Sequence, residues 1–345
     1  MIRIQPSWVD GVRAATSPRD LHRYLQGAIK LEHATIPLYL TAYFSLKPGT
    51  NDEVGRVIRA VVIEEMLHLC IAANVLNAVG GQPMLDYPKF VPKFPGSLPM
   101  AIDGDLDLHL GPMSMAQCEA FMDLEEPEDP LRFRVIDAAA RPGFETIGAF
   151  YEAMIDKIRE LGEPAFRAPS NEQVTASWFR PTELFAVTDV ASAVAALELV
   201  VQQGEGTATS PVDVEGDPAH YYRFSEIKHG QRLVVDLSAP GGFSYSGDRL
   251  EFKASEVWPL VVDPKPDRYR DGTVARRMDD QFNRSYTTLL KALHETFNGK
   301  PHQLDAAMGL MYELRLQALA MIAEPDPADA SLRVTPTWQY LDPTG

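Results

Sequence analysis

Two short segments of this 345-residue chain repeat the same pair of metal-ligating residue types. Glu65 precedes His68 by three positions, and Glu226 precedes His229 by the same interval. Residues three apart lie on one face of an α-helix, so each pair can present a carboxylate and an imidazole to one ion. Carboxylate and imidazole ligands suit iron and manganese. The two Glu-x-x-His pairs therefore predict a metal site between two helices.

A site of this kind takes one further glutamate from each of two neighbouring helices. Positions 32 and 65 are equally distant from the Pro48-Gly49 turn. Residues equidistant from the turn of an antiparallel helical hairpin lie at the same level. Glu32 also interrupts the apolar segment AIKLEHATIPLYL, where an unpaired charge is costly. Glu32 is therefore predicted to face Glu65 as a ligand.

The second hairpin offers two candidates for the last glutamate. Glu205 and Glu226 are equally distant from a point beside Gly216, which repeats the mirror relation of the first hairpin. Glu198 lies seven residues before Glu205 on the same helical face and is the alternative ligand. Glu205 is preferred, although glycines surround it and its helix is expected to end close by.

A Glu-x-x-His pair can also occur by chance, and other acidic, aromatic and histidine residues lie near the two pairs or elsewhere in the chain. A chain with this many Glu and His residues contains roughly half a Glu-x-x-His pair by accident, so one copy alone is a weak signal. The alternative interpretation is that both pairs lie on solvated helix faces. Glu64 is turned about 100° from Glu65 and is predicted to be a surface or supporting group. Tyr39 is predicted to pack in the core, with a hydrogen-bonding or redox-active position at the site as the alternative. The histidines without ligand spacing are predicted to be structural: His22, His109, His220, His294 and His302.

The elements that must position these residues follow from caps and apolar periodicity. The fold class predicted is mainly α: a four-helix bundle with a long crossover, a small β-hairpin insertion and extra C-terminal helices, as a single domain over residues 1–345. The bundle helices are predicted at about 17–46, 52–79, 182–206 and 217–233, the crossover at 80–181, and the hairpin with C-terminal helices at 234–345. Within these regions, short helices are predicted near 114–124 and 145–161, and long ones near 274–297 and 302–323.

Composition excludes several classes of function. The chain has 32 Lys and Arg against 48 Asp and Glu, a formal charge of -16, which disfavours nucleic acid and anionic membrane surfaces. Two cysteines, Cys70 and Cys118, are too few for a disulfide framework, and the first ten residues do not resemble a signal peptide. The most apolar stretch, residues 185–201, contains two acids and is predicted to be a buried helix. A cytoplasmic protein without a membrane span is expected.

Four segments carry a resemblance to a known family: LEHATIPLYL, EEMLHL, QQGEGT and YYRFSEIKHG. They resemble the ferritin-like domain of the iminophenylpyruvate dimer synthase family, found in enzymes of bisindole pigment biosynthesis and in many stand-alone bacterial proteins. The resemblance implies a ferritin-like bundle from about Asp20 to Leu233. It also implies that Glu205, in QQGEGT, is the ligand on the third helix. The pigment enzymes are larger chains, so the resemblance does not define the reaction.

The predicted metal ligands are Glu32, Glu65, His68, Glu205, Glu226 and His229. Four carboxylates nearly neutralise two divalent ions, and the expected cofactor is two Fe ions, with Mn or a mixed pair as the alternative. The leading hypothesis is an oxidoreductase that uses O2 or peroxide to oxidise a small organic substrate. The alternative is a non-catalytic or ferroxidase-like iron-binding protein. Catalytic residues beyond the ligands are not assigned, and a homo-oligomer is compatible with the sequence.

Overall fold

The computed structural model describes residues 4–101, 106–127, 146–175, 178–206, 210–213 and 215–341, without the side chain of Glu205. Parts of the predicted crossover, residues 102–105, 128–145 and 176–177, lie outside these ranges. The helices of the described part are α1 Pro6–Arg13, α2 Pro18–Phe44, α3 Asp52–Ala78, α4 Met115–Glu125, α5 Ile147–Leu161, α6 Val190–Glu205, α7 His220–His229, α8 Val274–Phe297 and α9 Leu304–Ala323. The strands are β1 Gln231–Val235 and β2 Phe243–Arg249. The predicted mainly α class is confirmed.

Helices α2 and α3 form the predicted hairpin and pack along their length. Ser17 and Asp20 close a capping box at the start of α2, with Pro18 in the first turn. Asn51 precedes α3 in the left-handed conformation, with φ of 52°. Pro37 lies inside α2 and its carbonyl accepts a hydrogen bond from the Thr41 hydroxyl at 2.7 Å. The two helices thus end close to where the sequence pattern places them.

Helix α3 is long and apolar enough to cross a membrane by length and composition alone. In the protein, 78% of its most apolar window is buried. It packs against α2, α6, α7 and α8. Its apolar character is therefore that of a core helix surrounded by other helices.

Helix α6 begins at Val190 and not near position 182 as predicted. Asp189 is extended and its carboxylate accepts a hydrogen bond from the Ser192 backbone N–H at 2.8 Å, which caps the helix there. The apolar residues before Asp189 therefore belong to the segment leading into the helix. α6 packs against α5, and α4 packs against α7.

Helix α7 is shorter than the predicted 217–233. The loop before it is bridged between Val212 and Pro218, so Pro218 pairs with the loop and the helix starts at His220. Gly230 ends the helix in the left-handed conformation, with φ of 70°. Residues 231–233 then enter β1, which pairs antiparallel with β2. The hairpin predicted in this region is confirmed, with a first strand that begins earlier than expected.

The C-terminal helices α8 and α9 pack on each other, α8 also against α3 and α9 against α2. The segment after α9 returns to the core, where Trp338 donates from its indole nitrogen to the Thr41 hydroxyl at 3.0 Å. Helix α1, which the pattern analysis did not predict, packs against α2 and α5. Helices α8 and α9 therefore each contribute a face to the core around the α2–α3 hairpin.

Candidate metal centre

Three of the six predicted ligands lie together in the core. Glu32 comes from α2, whereas Glu65 and His68 come from one face of α3. The Nδ1 atom of His68 is 3.6 Å from Oε2 of Glu32. One ligating atom from each of the three residues lies within 4.8 Å of the others, and all three residues are buried. Helical spacing on α3 and the α2–α3 hairpin produce this group as predicted.

A second group of ligating atoms overlaps the first. Glu125 is the last residue of α4, and His220 is the first residue of α7. Nδ1 of His220 lies 3.1 Å from Oε1 of Glu65 and 3.6 Å from Oε2 of Glu125. These three residues again offer buried ligating atoms within 4.8 Å of one another. Because Glu65 belongs to both groups, the two groups form one continuous cluster of five buried ligand candidates.

The outer nitrogen of each histidine is held by a neighbouring acceptor. Nε2 of His68 lies 2.9 Å from Oε1 of Gln203 on α6, and Nε2 of His220 lies 3.0 Å from Oε2 of Glu64. Because both partners accept, each Nε2 carries the proton and each Nδ1 faces the carboxylates. Metal-binding histidines characteristically donate their other ring N–H in this way, which fixes the tautomer and the ring orientation.

The charges of the site also fit a metal. Glu32, Glu65 and Glu125 are each at most 8% exposed, and no Lys or Arg among the described residues pairs with any of them. Buried carboxylates without a cation are costly. Nδ1 of His220 is buried and makes no hydrogen bond to any described residue, although two carboxylate oxygens face it. A pair of cations in this position would satisfy both the carboxylates and the ring nitrogen.

Bound protons compensate part of the negative charge of these carboxylates. Burial, together with the neighbouring Glu125 and Glu32, raises the pKa of Glu65 to about 7. Burial alone would lower the pKa of His220, but the Glu125, Glu64 and Glu65 carboxylates raise this pKa well above its ordinary value. Burial opposes the same effect at His68, where Glu32 and Glu65 raise the pKa. Metal binding at such ligands releases protons.

Hydroxyl groups complete the carboxylate surroundings. The Thr35 hydroxyl donates to Oε2 of Glu65 at 2.8 Å. The Tyr39 hydroxyl donates to Oε1 of Glu125, and the Tyr151 hydroxyl donates to Oε1 of Glu32. Burial and the adjacent carboxylates raise the pKa of both tyrosines well above the ordinary value, so both remain protonated donors. Tyr39, predicted as a core residue, therefore also orients a site carboxylate.

A cavity of about 40 Å³ adjoins these groups. Besides the five ligand candidates and Thr35, its lining contains the acidic Glu126 and otherwise mostly apolar or small residues: Leu31, Leu124, Ile147, Gly148, Tyr151, Val200, Val201 and Gly204. A cavity needs roughly 10–15 Å³ to hold one water molecule. The space beside the carboxylates therefore suits ions and very small molecules in this conformation.

Glu226 and His229, the second predicted Glu-x-x-His pair, do not join this cluster. Glu226 accepts hydrogen bonds from Nη1 of Arg232 at 2.6 Å and from the Leu233 backbone N–H at 2.9 Å. The ring of His229 stacks on Tyr245 with centroids 4.1 Å apart. Since the first residue of α7 already touches Glu65, a residue six positions later lies roughly 9 Å further along the helix.

The choice between Glu198 and Glu205 is partly resolved. Glu198 is 46% exposed and pairs with Arg159 at 2.8 Å, so it lies at the surface and not in the cluster. Glu205 is the last residue of α6, and the preceding Gly204 lines the cavity beside the cluster. The side chain of Glu205 lies outside the described atoms, and its role as a ligand stays a prediction.

Sequence reasoning missed Glu125, His220, Gln203 and Tyr151. Glu125 stands in an acidic run that resembles a solvated turn, and His220 has no partner at helical spacing. These residues meet only because α4 packs on α7 and because α5 and α6 lie beside α3. The sequence held one weak indication of His220: it follows Asp217-Pro218, where a bundle helix was predicted to begin.

The comparisons with known proteins agree with the fold. A family model described as Ferritin-like matches residues 25–229, which run from α2 to the end of α7. Dichlorochromopyrrolate synthase from Lentzea aerocolonigenes is 23% identical over 86% of this chain and 33% of its own length, so the chain spans about a third of that relative. A crystal structure of a ferritin-like protein from Caulobacter vibrioides is 25% identical and superposes with a TM-score of 0.61, covering 95% of this chain and 99% of the other. The chain therefore belongs to the Ferritin-like family.

Proposed function

We propose that this protein holds two metal ions, most simply two Fe with Mn or a mixed pair as the alternative, and uses O2 or peroxide to oxidise a small organic substrate. The observation that carries this proposal is the buried pair of overlapping ligand groups that share Glu65 and have no Lys or Arg partner in the described part of the chain. The proposed ligands are Glu32, Glu65, His68, Glu125 and His220.

Glu205 is proposed as the sixth ligand. Helix α6 ends on this residue, and Gln203 on the same helix contacts His68. With Glu205 the site has four carboxylates and two imidazoles, and four negative charges balance two divalent ions. When bound, a pair of iron ions supplies reversible oxidation and reduction, the chemistry that non-haem iron brings to enzymes.

The residues of the chain give that chemistry its setting. The apolar side chains of Leu124, Ile147 and Val200 exclude bulk water from the cavity, and the Tyr39 and Tyr151 hydroxyls hold protons against two ligand carboxylates. The synthase from Lentzea aerocolonigenes supports an activity on an organic substrate, since its name denotes an enzyme. Its low identity leaves the substrate of this chain open to direct assay.

A ferroxidase-like or non-catalytic iron-binding function is the second candidate. The cavity of about 40 Å³ beside the cluster favours it, because an organic substrate requires several times this space. An enzyme acting on such a substrate must open the site around Ile147 and Leu124. The two functions therefore differ in a measurable opening of this pocket.

Metal analysis of purified and reconstituted protein tests the site. We expect about two ions per chain in the wild type, and substoichiometric metal in Glu65→Ala and His220→Ala. His229→Ala and Glu198→Gln are matched controls, because they remove the same residue types at positions outside the cluster, and they should keep the wild-type content. Full metal content in His220→Ala, or its loss in His229→Ala, would contradict the proposed ligands.

Oxygen consumption separates the two candidate functions. Iron(II)-loaded protein is exposed to air with and without a panel of small aromatic and amino-acid-derived compounds. An oxidoreductase consumes O2 repeatedly only in the presence of its substrate and forms an oxidised product. A ferroxidase consumes O2 in proportion to the iron added, whichever compound is present.

A further inference from the structure

A second cavity lies on the opposite side of the α2–α3 hairpin from the carboxylate cluster. Its volume is about 230 Å³, and α2, α3, α8 and α9 enclose it. The walls are aliphatic and aromatic: the main groups are Ile36, Val62, Leu69, Leu289, Leu290 and Met311. An engineered apolar cavity of 150 Å³ binds benzene. This cavity is therefore large enough for a ring with a short chain or for a medium-length alkyl chain.

Two arginines give the cavity a charged mouth. Arg59 on α3 and Arg315 on α9 line it, and both side chains are exposed. Neither arginine forms an ion pair with a described carboxylate, although the chain carries 48 acidic residues. The guanidinium of Arg315 lies over the Tyr43 ring, 5.8 Å from its centroid. None of the described residues that line the cavity is Asp or Glu.

One polar atom in the lining also lacks a partner. His33 is 4% exposed, and its Nε2 is 2.9 Å from the Tyr286 hydroxyl, but its Nδ1 makes no hydrogen bond to any described residue. Buried polar atoms are nearly always paired with protein, water or ligand. Ile63 and Tyr312, which also line the cavity, are exposed apolar side chains, and so is Leu316 next to Arg315 in the chain. These features are those of a site for a molecule with an apolar body and an anionic end.

We propose that this cavity is a binding site for an amphipathic monocarboxylate, with the apolar body between α2, α3, α8 and α9 and the carboxylate at Arg59 and Arg315. Guanidinium groups match carboxylates in geometry and charge. The site does not depend on the metal centre, because none of its lining residues belongs to the ligand set. His33 and Met66 directly follow Glu32 and Glu65, so a ligand here contacts the helices that position the metal.

Calorimetric titration with three ten-carbon probes tests the proposal in metal-free and metal-loaded protein. Decanoate is expected to bind once per chain, at least about tenfold tighter than decan-1-ol, whereas decyltrimethylammonium should bind no better than the alcohol. In Arg59→Gln/Arg315→Gln, the decanoate affinity should fall to that of the alcohol. Arg56→Gln is the matched control, because Arg56 is exposed on α3, pairs with Glu53 and does not line this cavity.

Filling the cavity gives a second, independent readout. Met311→Trp places a larger side chain in the cavity and should abolish binding of both decanoate and decan-1-ol. If this variant does not fold, the arginine double variant still tests the proposal, because both arginines are exposed and their replacement should leave the core intact. The proposal is overturned by the absence of saturable decanoate binding, or by equal decanoate affinity in wild type and the arginine double variant. It is also overturned if the wild type is a dimer that ignores decanoate and that Leu316→Glu disperses, since a second copy then covers this surface.

Discussion

The two Glu-x-x-His pairs of this chain have identical spacing and both lie on helices, yet their surroundings differ in charge. Glu65 on α3 shares a buried space with Glu32 and Glu125, and no described Lys or Arg pairs with it. Glu226 on α7 is equally buried, but Arg232 and a backbone N–H occupy its oxygens. The first carboxylate has a deficit of positive charge, and the second does not.

The histidines of the two pairs differ in the same way. His68 donates from Nε2 to Gln203 and turns Nδ1 towards Glu32. His229 stacks on Tyr245 beside the hairpin. The two pairs thus differ in whether the charge of the carboxylate is compensated and in whether the histidine faces other carboxylates. The four predictions below test this difference, beginning with the largest expected effect.

Metal addition should separate the two pairs most strongly. A ligand present at 1,000 times its Kd stabilises a folded protein by about 4 kcal/mol. We expect an increase in thermal stability on Fe(II) or Mn(II) addition for the wild type and for Glu226→Gln, and none for Glu65→Gln. Differential scanning fluorimetry under anaerobic conditions measures it. An equal response in all three proteins would remove the distinction between the pairs.

A buried carboxylate outside both pairs extends the comparison to pH. Burial raises the pKa of Asp279 to about 6, although its oxygens accept hydrogen bonds from the Thr337 backbone N–H and hydroxyl. Because the pKa of Asp279 is higher in the folded than in the unfolded protein, protonated Asp279 contributes fully to the free energy of unfolding below about pH 4. The free energy of unfolding falls by about 3 kcal/mol in total as the pH rises from there through about 6.

The variant Asp279→Asn should remove this pH dependence, because an amide can accept from the backbone N–H and donate to the hydroxyl of Thr337. We expect a higher free energy of unfolding for the variant at pH 8 and little difference at pH 4. Urea denaturation of both proteins across this range measures the difference. A constant difference at every pH would show that Asp279 titrates alike in the folded and unfolded states.

Gln203, the hydrogen-bond partner of His68, should affect metal affinity more than the adjacent Gln202. Gln203→Leu leaves Nε2 of His68 without an acceptor, and loss of such a contact typically lowers metal affinity by about 10–100-fold. Gln202→Leu makes the same change next to it and should bind metal as the wild type does. Competition with a metal chelator gives both affinities. Equal affinities would mean that His68 is oriented by packing alone.

Glu226→Gln should have the smallest effect, and one on stability instead of metal content. Arg232 loses its charged acceptor but is 32% exposed and still pairs with Glu53, so water and that glutamate compensate in part. A hydrogen bond to a charged group contributes about 1.5–3 kcal/mol, and we expect the lower end of this range. Chemical denaturation measures the loss, and reduced metal binding in this variant would reinstate Glu226 as a ligand.

Local rules predicted the parts of the site that lie within one hairpin. Glu65 and His68 share a helical face, and Glu32 lies opposite because a short turn joins two regular helices. The same rule failed for Glu226, because a bridged loop delays the start of α7 and shifts its register. Mirror spacing holds only when both helices run up to a short turn.

The sequence by itself determined the mainly helical class, most helix ends, the approach of Glu65 and His68 to Glu32, and the acidic charge. These depend on periodicity and on caps, which act within a few residues. Only the tertiary structure decided that Glu125 and His220 complete the cluster and that Glu226 is neutralised by Arg232. Those contacts join residues far apart in the chain, and the face that one helix presents to another depends on packing across the whole fold.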